Sequence, residues 1–89
     1  MINIQFAPSF KKAYKKLMRK NPELALLFIE KLLLFLNDPY HAKLSTHKLT
    51  GKLSGASAFS VEYDCRVVFY FEKNGDAVFV DIGTHNEVY

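Results

Sequence analysis

Only one cysteine, Cys65, stands among the 89 residues, and no Cys-x-x-Cys accompanies the three histidines. An intrachain disulfide is therefore excluded, a structural zinc site is not expected, and Cys65 reads as a packing residue. Acid is missing from the first part of the chain, where the earliest carboxylate is Glu23. No apolar run approaches the roughly 20 residues of a membrane span, because Glu30 and Lys31 break the longest one. The opening MINIQFAPSF lacks the basic and apolar regions of a secretion signal. Internal repeats and low-complexity tracts are absent too. What remains is a composition with 49% hydrophobic and 15% aromatic residues, 4 Gly and 3 Pro, which is ordinary globular material. A chain of 89 residues suffices for one core and not for two. The expectation is one domain spanning residues 1–89, soluble and cytosolic, with no cofactor and no metal.

The net charge of +3 is unevenly spread. Lys11, Lys12, Lys15, Lys16, Arg19 and Lys20 make up half of the 12 basic residues and precede every acid. So dense a block is either a solvated helix face or a surface for an anionic partner, nucleic acid or acidic protein.

The pattern along the chain predicts α+β architecture. INIQF (2–6) alternates as a short strand. Pro8-Ser9 opens a helix whose Phe10, Ala13, Tyr14, Leu17 and Met18 recur at spacings of three and four, with the lysines opposite. Asn21-Pro22-Glu23 is a stop and restart, with Asn21 as N-cap and Pro22 at the first helical position. The second helix runs to about Leu36 and is apolar almost all round, from Leu24 to Leu36. One sheet cannot cover all of those side chains. Either a tight helical hairpin hides most of them or a protein partner does.

Residues 40–57 are loop-like and basic, with His41, Lys43, His47, Lys48 and Lys52. AFSVEY (58–63), RVVFYFE (66–72) and AVFVDI (77–82) then form three consecutive strands, the last two joined by KNGD, whose Asn-Gly is a hairpin signal. The order is β-α-α-β-β-β, a two-helix hairpin on one face of a mostly antiparallel sheet.

Strand alternation puts Phe59, Val61 and Tyr63 on one face with Ser60 and Glu62 opposite. On the next strand Val67, Phe69 and Phe71 separate from Arg66, Val68 and Tyr70. If the aromatic set packs under the helices, Arg66 and Glu62 emerge on the other face, with Asp81 and Phe79 as further candidates. The basic loop brings His47, Lys48 and Lys52 toward that face, and the tail GTHNEVY brings His85 and Tyr89. Neither a paired-carboxylate glycosidase site nor a glycine-rich phosphate loop is present. Two imidazoles, a guanidinium, ammoniums and a phenol suit metal-free RNA cleavage by ribose 2′-OH attack. That reaction needs a base, an acid and fixed cations near the phosphate. Histidine can fill either proton role near neutral pH, Arg grips phosphate as a fork, and Tyr can stack a base. By residue type alone, any one histidine is more often structural or surface than catalytic.

HKLTGKLSG (47–55), FSVEYDCRVVFYF (59–71) and VFVDIGTHNEVY (78–89), in this order behind a helix pair, closely resemble the RelE/ParE superfamily of bacterial toxins, and the closing IGTH…VY its YafQ-like branch. The resemblance spans essentially the whole chain. It implies a RelE-like fold and a toxin of a type II toxin–antitoxin system, commonly an endoribonuclease (mRNA interferase) that cuts mRNA on the ribosome and is held inactive by a cognate antitoxin. Carried over position by position, it makes His47 the loop histidine, Arg66 the phosphate-binding strand arginine, His85 the near-terminal general acid or base and Tyr89 the terminal aromatic. Lys48 and Lys52 are assigned supporting phosphate contacts and Glu62 the part of a candidate base. Lys11, Lys12, Lys15, Lys16 and Arg19 would face ribosomal RNA.

The chain departs from many relatives at GASAFS, where Ala56 and Ala58 replace a larger residue. The alternative is a non-catalytic toxin-like binding protein, either a ParE-like gyrase inhibitor or a degenerate toxin. His47, Arg66 and His85 together favour the nuclease. The expected partners are a small antitoxin covering the surplus apolar surface of the second helix, and the ribosome with its mRNA.

Overall fold

A computed structural model of the chain describes residues 1–84. The elements run β1 (Ile4–Phe6), α1 (Pro8–Lys20), α2 (Leu24–Asn37), β2 (His47–Lys48), β3 (Ser57–Glu62), β4 (Cys65–Phe71) and β5 (Ala77–Gly83), with 3₁₀ turns at Ala42–Leu44 and Gly51–Leu53. The five strands are ordered β1-β5-β4-β3-β2. Every pairing is antiparallel except that of β1 with β5, the first strand with the last, which run parallel. Among these residues no helix is long and apolar enough to cross a membrane.

The expected element order holds, with local differences. β1 is shorter than the alternating stretch 2–6, because the Ile2 amide bonds the Leu36 carbonyl at the end of α2 and so leaves the sheet. α2 begins at Leu24 rather than Pro22: the Leu24 and Ala25 amides reach back to the Asn21 and Pro22 carbonyls, so Pro22-Glu23 form a turn before the helix. β2 lies in a stretch whose sequence reads only as loop. Two residues are too few for alternation to show, and its pairing depends on the neighbouring β3.

α1 presents Phe10 and Leu17 to the core with Ala13, Tyr14 and Met18 at its margin, while its six cations remain exposed. α1 lies over β5 and α2 over β3. The Ser9 hydroxyl donates to the Val80 carbonyl at 2.7 Å and the Ala7 amide to Phe79 at 3.0 Å, which fixes the start of α1 on β5. At the centre, Phe35 of α2 meets Phe59, Phe69 and Phe79, one from each of three strands, with ring centroids 5.0, 5.0 and 5.3 Å away. All four rings are fully buried. Phe79 also meets Phe6 and Phe10, and Phe28 meets Phe10 and Tyr14, so one aromatic network joins both helices to the sheet. Cys65 is part of the same core, 1% exposed. The hairpin does not absorb the apolar surplus of α2: Leu26, Ile29 and Leu33 stay 77%, 49% and 58% exposed.

Two bulges decide which side chains share a face. In β3 the register passes from Ser60↔Arg66 to Glu62↔Cys65 across Val61. In β5 it passes from Phe79↔Phe69 to Asp81↔Val68 across Val80. Each extra residue reverses the alternation beyond it. Glu62 consequently pairs with core-facing Cys65 and belongs to the helix side, not to the Arg66 face expected from strict alternation. Tyr63, expected beside Phe59 and Val61, lies in the β3–β4 turn at 95% exposure. Phe79 and Asp81, two apart, separate: Phe79 enters the core and Asp81 pairs across from Val68.

Candidate RNA-cleaving face

The sheet face away from the helices carries Arg66, Val68 and Tyr70 from β4, Ser60 and Ala58 from β3, and His47 from β2. The registers His47↔Ala58, Ala58↔Val68 and Ser60↔Arg66 place them. Ala58, Val68 and Val78 are 0%, 2% and 6% exposed, so the middle of this face is an apolar floor rather than open polar surface. His47 is separated from the Arg66 strand by β3 alone, roughly 10 Å laterally at about 4.8 Å per strand.

The His47 loop is held from several sides. Leu44 is fully buried, the Thr46 hydroxyl bonds the Pro39 carbonyl, and the Leu49 amide donates to Ala56 at 2.9 Å. Ser45 takes a left-handed conformation, φ 49°, and its carbonyl lies 3.0 Å from His47 Nδ1. A carbonyl only accepts, so Nδ1 carries a proton and the neutral ring keeps its lone pair on Nε2. His41 has the opposite tautomer. Its Nδ1 accepts the Lys43 amide at 3.1 Å and caps the 3₁₀ turn, a structural use. Exposed His47, Lys48 and Lys52 line a hollow of about 420 Å³ together with Thr50.

Arg66 is half-buried and does local work as well. Its Nη1 donates to the Glu62 and Tyr63 carbonyls, both at 2.9 Å, and more distantly to Cys65 at 3.4 Å. The guanidinium thereby fastens the β3–β4 turn. A guanidinium has five N–H donors, and the three on Nη2 and Nε lie on the edge that suits an oxyanion fork.

The other expected site residues do not all converge. Glu62 lines, with Asn21, Glu23 and Asp64, a groove on the helix side. Lys11, Lys12, Lys15, Lys16 and Arg19 are exposed on α1, across the sheet from His47 and Arg66. His85 and Tyr89 lie outside the described residues, although Gly83, near the end of the described chain, is the register partner of Arg66. Ala58, noted as small for its place, stands between His47 and Val68 and is fully buried there. Tyr40, which sequence reasoning passed over, borders a second hollow beside Lys48 together with Tyr70 and Phe71. Two separate segments, β4 and the connection after α2, supply these aromatic residues. Among the described residues no cluster of three His, Cys, Asp or Glu is placed to hold a metal ion.

Comparison with solved structures gives whole-chain matches. YafQ from E. coli strain BL21(DE3) superposes with a TM-score of 0.81 at 21% identity, covering 100% of this chain and 99% of that one. A metal-bound toxin from Helicobacter pylori matches with a TM-score of 0.77 at 26% identity over 100% of both chains. A chain of the E. coli DinJ–YafQ complex matches with a TM-score of 0.71 at 23% identity, covering 100% and 99%. No curated protein sequence matches. The family model for YafQ, a bacterial toxin of type II toxin–antitoxin systems, matches residues 2–89. With the two helices on a five-stranded RelE-like sheet already established, that match over nearly the whole chain means that this protein belongs to the YafQ family of type II toxins.

Proposed function

We propose that this toxin is an endoribonuclease that cuts mRNA on the ribosome, in the cytosol, without a catalytic metal. The observation that carries the reading is the pairing of solvent-exposed His47, among Lys48 and Lys52, with Arg66 on one sheet face of a YafQ-family chain. His47 Nε2 takes the proton from a ribose 2′-OH. The O2′–P bond forms and the P–O5′ bond breaks, and His85 returns a proton to the departing O5′. The products are a 2′,3′-cyclic phosphate and a 5′-hydroxyl, and no other reactant is consumed. The outer edge of Arg66, with Lys48 and Lys52, neutralises the charge that grows on the phosphate, and Tyr89 stacks a base. Glu62, on the helix side, receives no part in this scheme. The cations of α1 contact ribosomal RNA phosphates, so association weakens with salt.

In the cell the chain is held by a cognate antitoxin. The exposed Leu26-Ile29-Leu33 stripe of α2 and the basic face of α1 suit an amphipathic segment with acidic character. The E. coli complex, in which YafQ is bound to DinJ, supports a cognate antitoxin as partner.

The test is induction of wild-type and His85→Ala chains in bacteria, with primer extension on a translated reporter. Codon-phased cuts with wild type and none with His85→Ala are expected. A second reading, a non-catalytic toxin that acts by binding, draws on the commitment of Arg66 Nη1 to the β3–β4 turn. It requires growth arrest that persists through His47→Ala, Arg66→Ala and His85→Ala without any cuts, a result that would displace the nuclease.

A further inference from the structure

Among the described residues, Ser45 is the only one besides glycines with a positive φ, at 49° with ψ 40°. That conformation costs a residue with a side chain free energy, and it persists only where the surroundings impose it. Anchors on both sides impose it here. Leu44, just before, is fully buried, and the hydroxyl of Thr46, just after, bonds the Pro39 carbonyl. Upstream, the 3₁₀ turn Ala42–Leu44 is closed by the His41 ring, which accepts the Lys43 amide at 3.1 Å, and by the Leu44 amide, which donates to the His41 carbonyl at 2.9 Å. Glycine or asparagine usually takes the left-handed place at the end of such a turn. Serine holds it here, and its carbonyl is put to use.

The Ser45 carbonyl stands 3.0 Å from Nδ1 of His47, whose backbone is fixed in turn by pairing with Ala58. One edge of the imidazole is thereby held by a main-chain acceptor, which leaves Nε2, on the opposite edge, as the basic nitrogen. When Nε2 takes a proton the ring becomes a cation, both nitrogens donate, and the bond to the carbonyl strengthens. A base oriented by an acceptor behind it is the arrangement that proton transfer in nucleophile activation generally uses, and here a carbonyl dipole fills the place more often held by a carboxylate. Resting on the nuclease reading above, we propose that Ser45 is a positioning residue for His47: its left-handed backbone aims the carbonyl that selects the tautomer and fixes the ring of the base. The role belongs to the backbone conformation and not to the hydroxyl.

The experiment reads the histidine tautomers of the purified full chain by long-range ¹H–¹⁵N correlation at alkaline pH, where imidazole is neutral. His47→Gln and His41→Gln assign the signals. Wild type should show His47 protonated on Nδ1 and His41, whose Nδ1 accepts an amide, protonated on Nε2, so that each ring is the reference for the other. Ser45→Val introduces a β-branched side chain that resists positive φ. It should return His47 to a mixture of tautomers and leave His41 unchanged. For cleavage of a translated mRNA it should lower kcat about 2- to 12-fold, the contribution of one ordinary hydrogen bond, with KM within about twofold of wild type. Ser45→Asn, which tolerates the left-handed region, should keep the wild-type tautomer and rate. His47 protonated on Nε2 in wild type would overturn the proposal whether or not any variant folds. So would Ser45→Val with both tautomer and kcat unchanged, or Ser45→Asn as impaired as Ser45→Val. A His47 tautomer that depends on residue 45 in a chain that cuts no mRNA leaves the positioning standing and removes the nuclease.

Discussion

Replacing Arg66 separates its observed hold on a turn from the phosphate role proposed for it. Nη1 holds the Glu62 and Tyr63 carbonyls at 2.9 Å and so braces the β3–β4 turn. Hydrogen bonds to a charged donor contribute about 1.5–3 kcal/mol each when well buried, and about 0.5–1.5 when ordinary. The turn is exposed, so water can take over both carbonyls once the guanidinium is gone. Arg66→Ala should then cost about 1–2 kcal/mol in total, at the low end of that scale. A chain of 89 residues at about 0.05–0.15 kcal/mol per residue has about 4–13 kcal/mol to lose, so the variant stays folded. In the proposed nuclease the outer edge of the guanidinium is the oxyanion fork, and loss of one preorganised donor set should lower turnover about 10²–10³-fold. Arg66→Lys should recover part of the stability and little of the activity, because an ammonium cannot present two parallel donors. Urea unfolding followed by far-ultraviolet circular dichroism gives the first quantity, and cleavage of a translated mRNA the second. A loss above about 4 kcal/mol would mean that the residue is chiefly structural, since that exceeds what two exposed turn bonds can supply. Full activity in Arg66→Ala would refute its placement at the phosphate.

Other substitutions test other parts of the account. Phe35→Ala removes the ring shared by Phe59, Phe69 and Phe79 and should cost about 3–5 kcal/mol, seen as a lower urea midpoint with an unchanged slope. Gly75 closes the β4–β5 hairpin at φ +92°, where its amide meets the Glu72 carbonyl at 2.9 Å. Gly75→Ala should lower stability by about 1 kcal/mol or more in the same assay, from backbone strain alone, since no neighbouring atom obstructs a Cβ. Leu33→Glu on the exposed stripe should leave the urea midpoint within about 0.5 kcal/mol of wild type while reducing copurification with the antitoxin.

Those features differ in how plainly the sequence announces them. The helices, the three-strand meander and the fold class were legible because hydrophobic spacing persists over ten or more residues in α1 and α2 and over six or seven in each long strand. β2 escaped because its two residues acquire strand geometry only from β3. Glu62 was placed on the wrong face by counting in twos. Alternation is a local rule, and the bulge at Val61 depends on how the β3–β4 turn closes around Arg66. The same limit separated Phe79 from Asp81 across Val80. His47 and Arg66 were gathered on one face from strand alternation and the neighbouring basic loop, and the resemblance then gave each a role. Tyr40 went unremarked because 30 positions separate it from Tyr70, with which it borders one hollow.

Cleavage chemistry is most directly tested by the ends of the cut RNA. Fragments from a reporter mRNA translated in the presence of the wild-type chain are sequenced by ligation, with and without prior phosphorylation by a polynucleotide kinase. The account requires 5′-hydroxyl ends that ligate only after phosphorylation, paired with 2′,3′-cyclic or 3′-phosphate ends upstream, and none of either from the His47→Ala chain. Fragments that ligate directly through 5′-phosphates would show that water, not the ribose 2′-OH, attacked the phosphorus, and would contradict the assignment of His47 and Arg66.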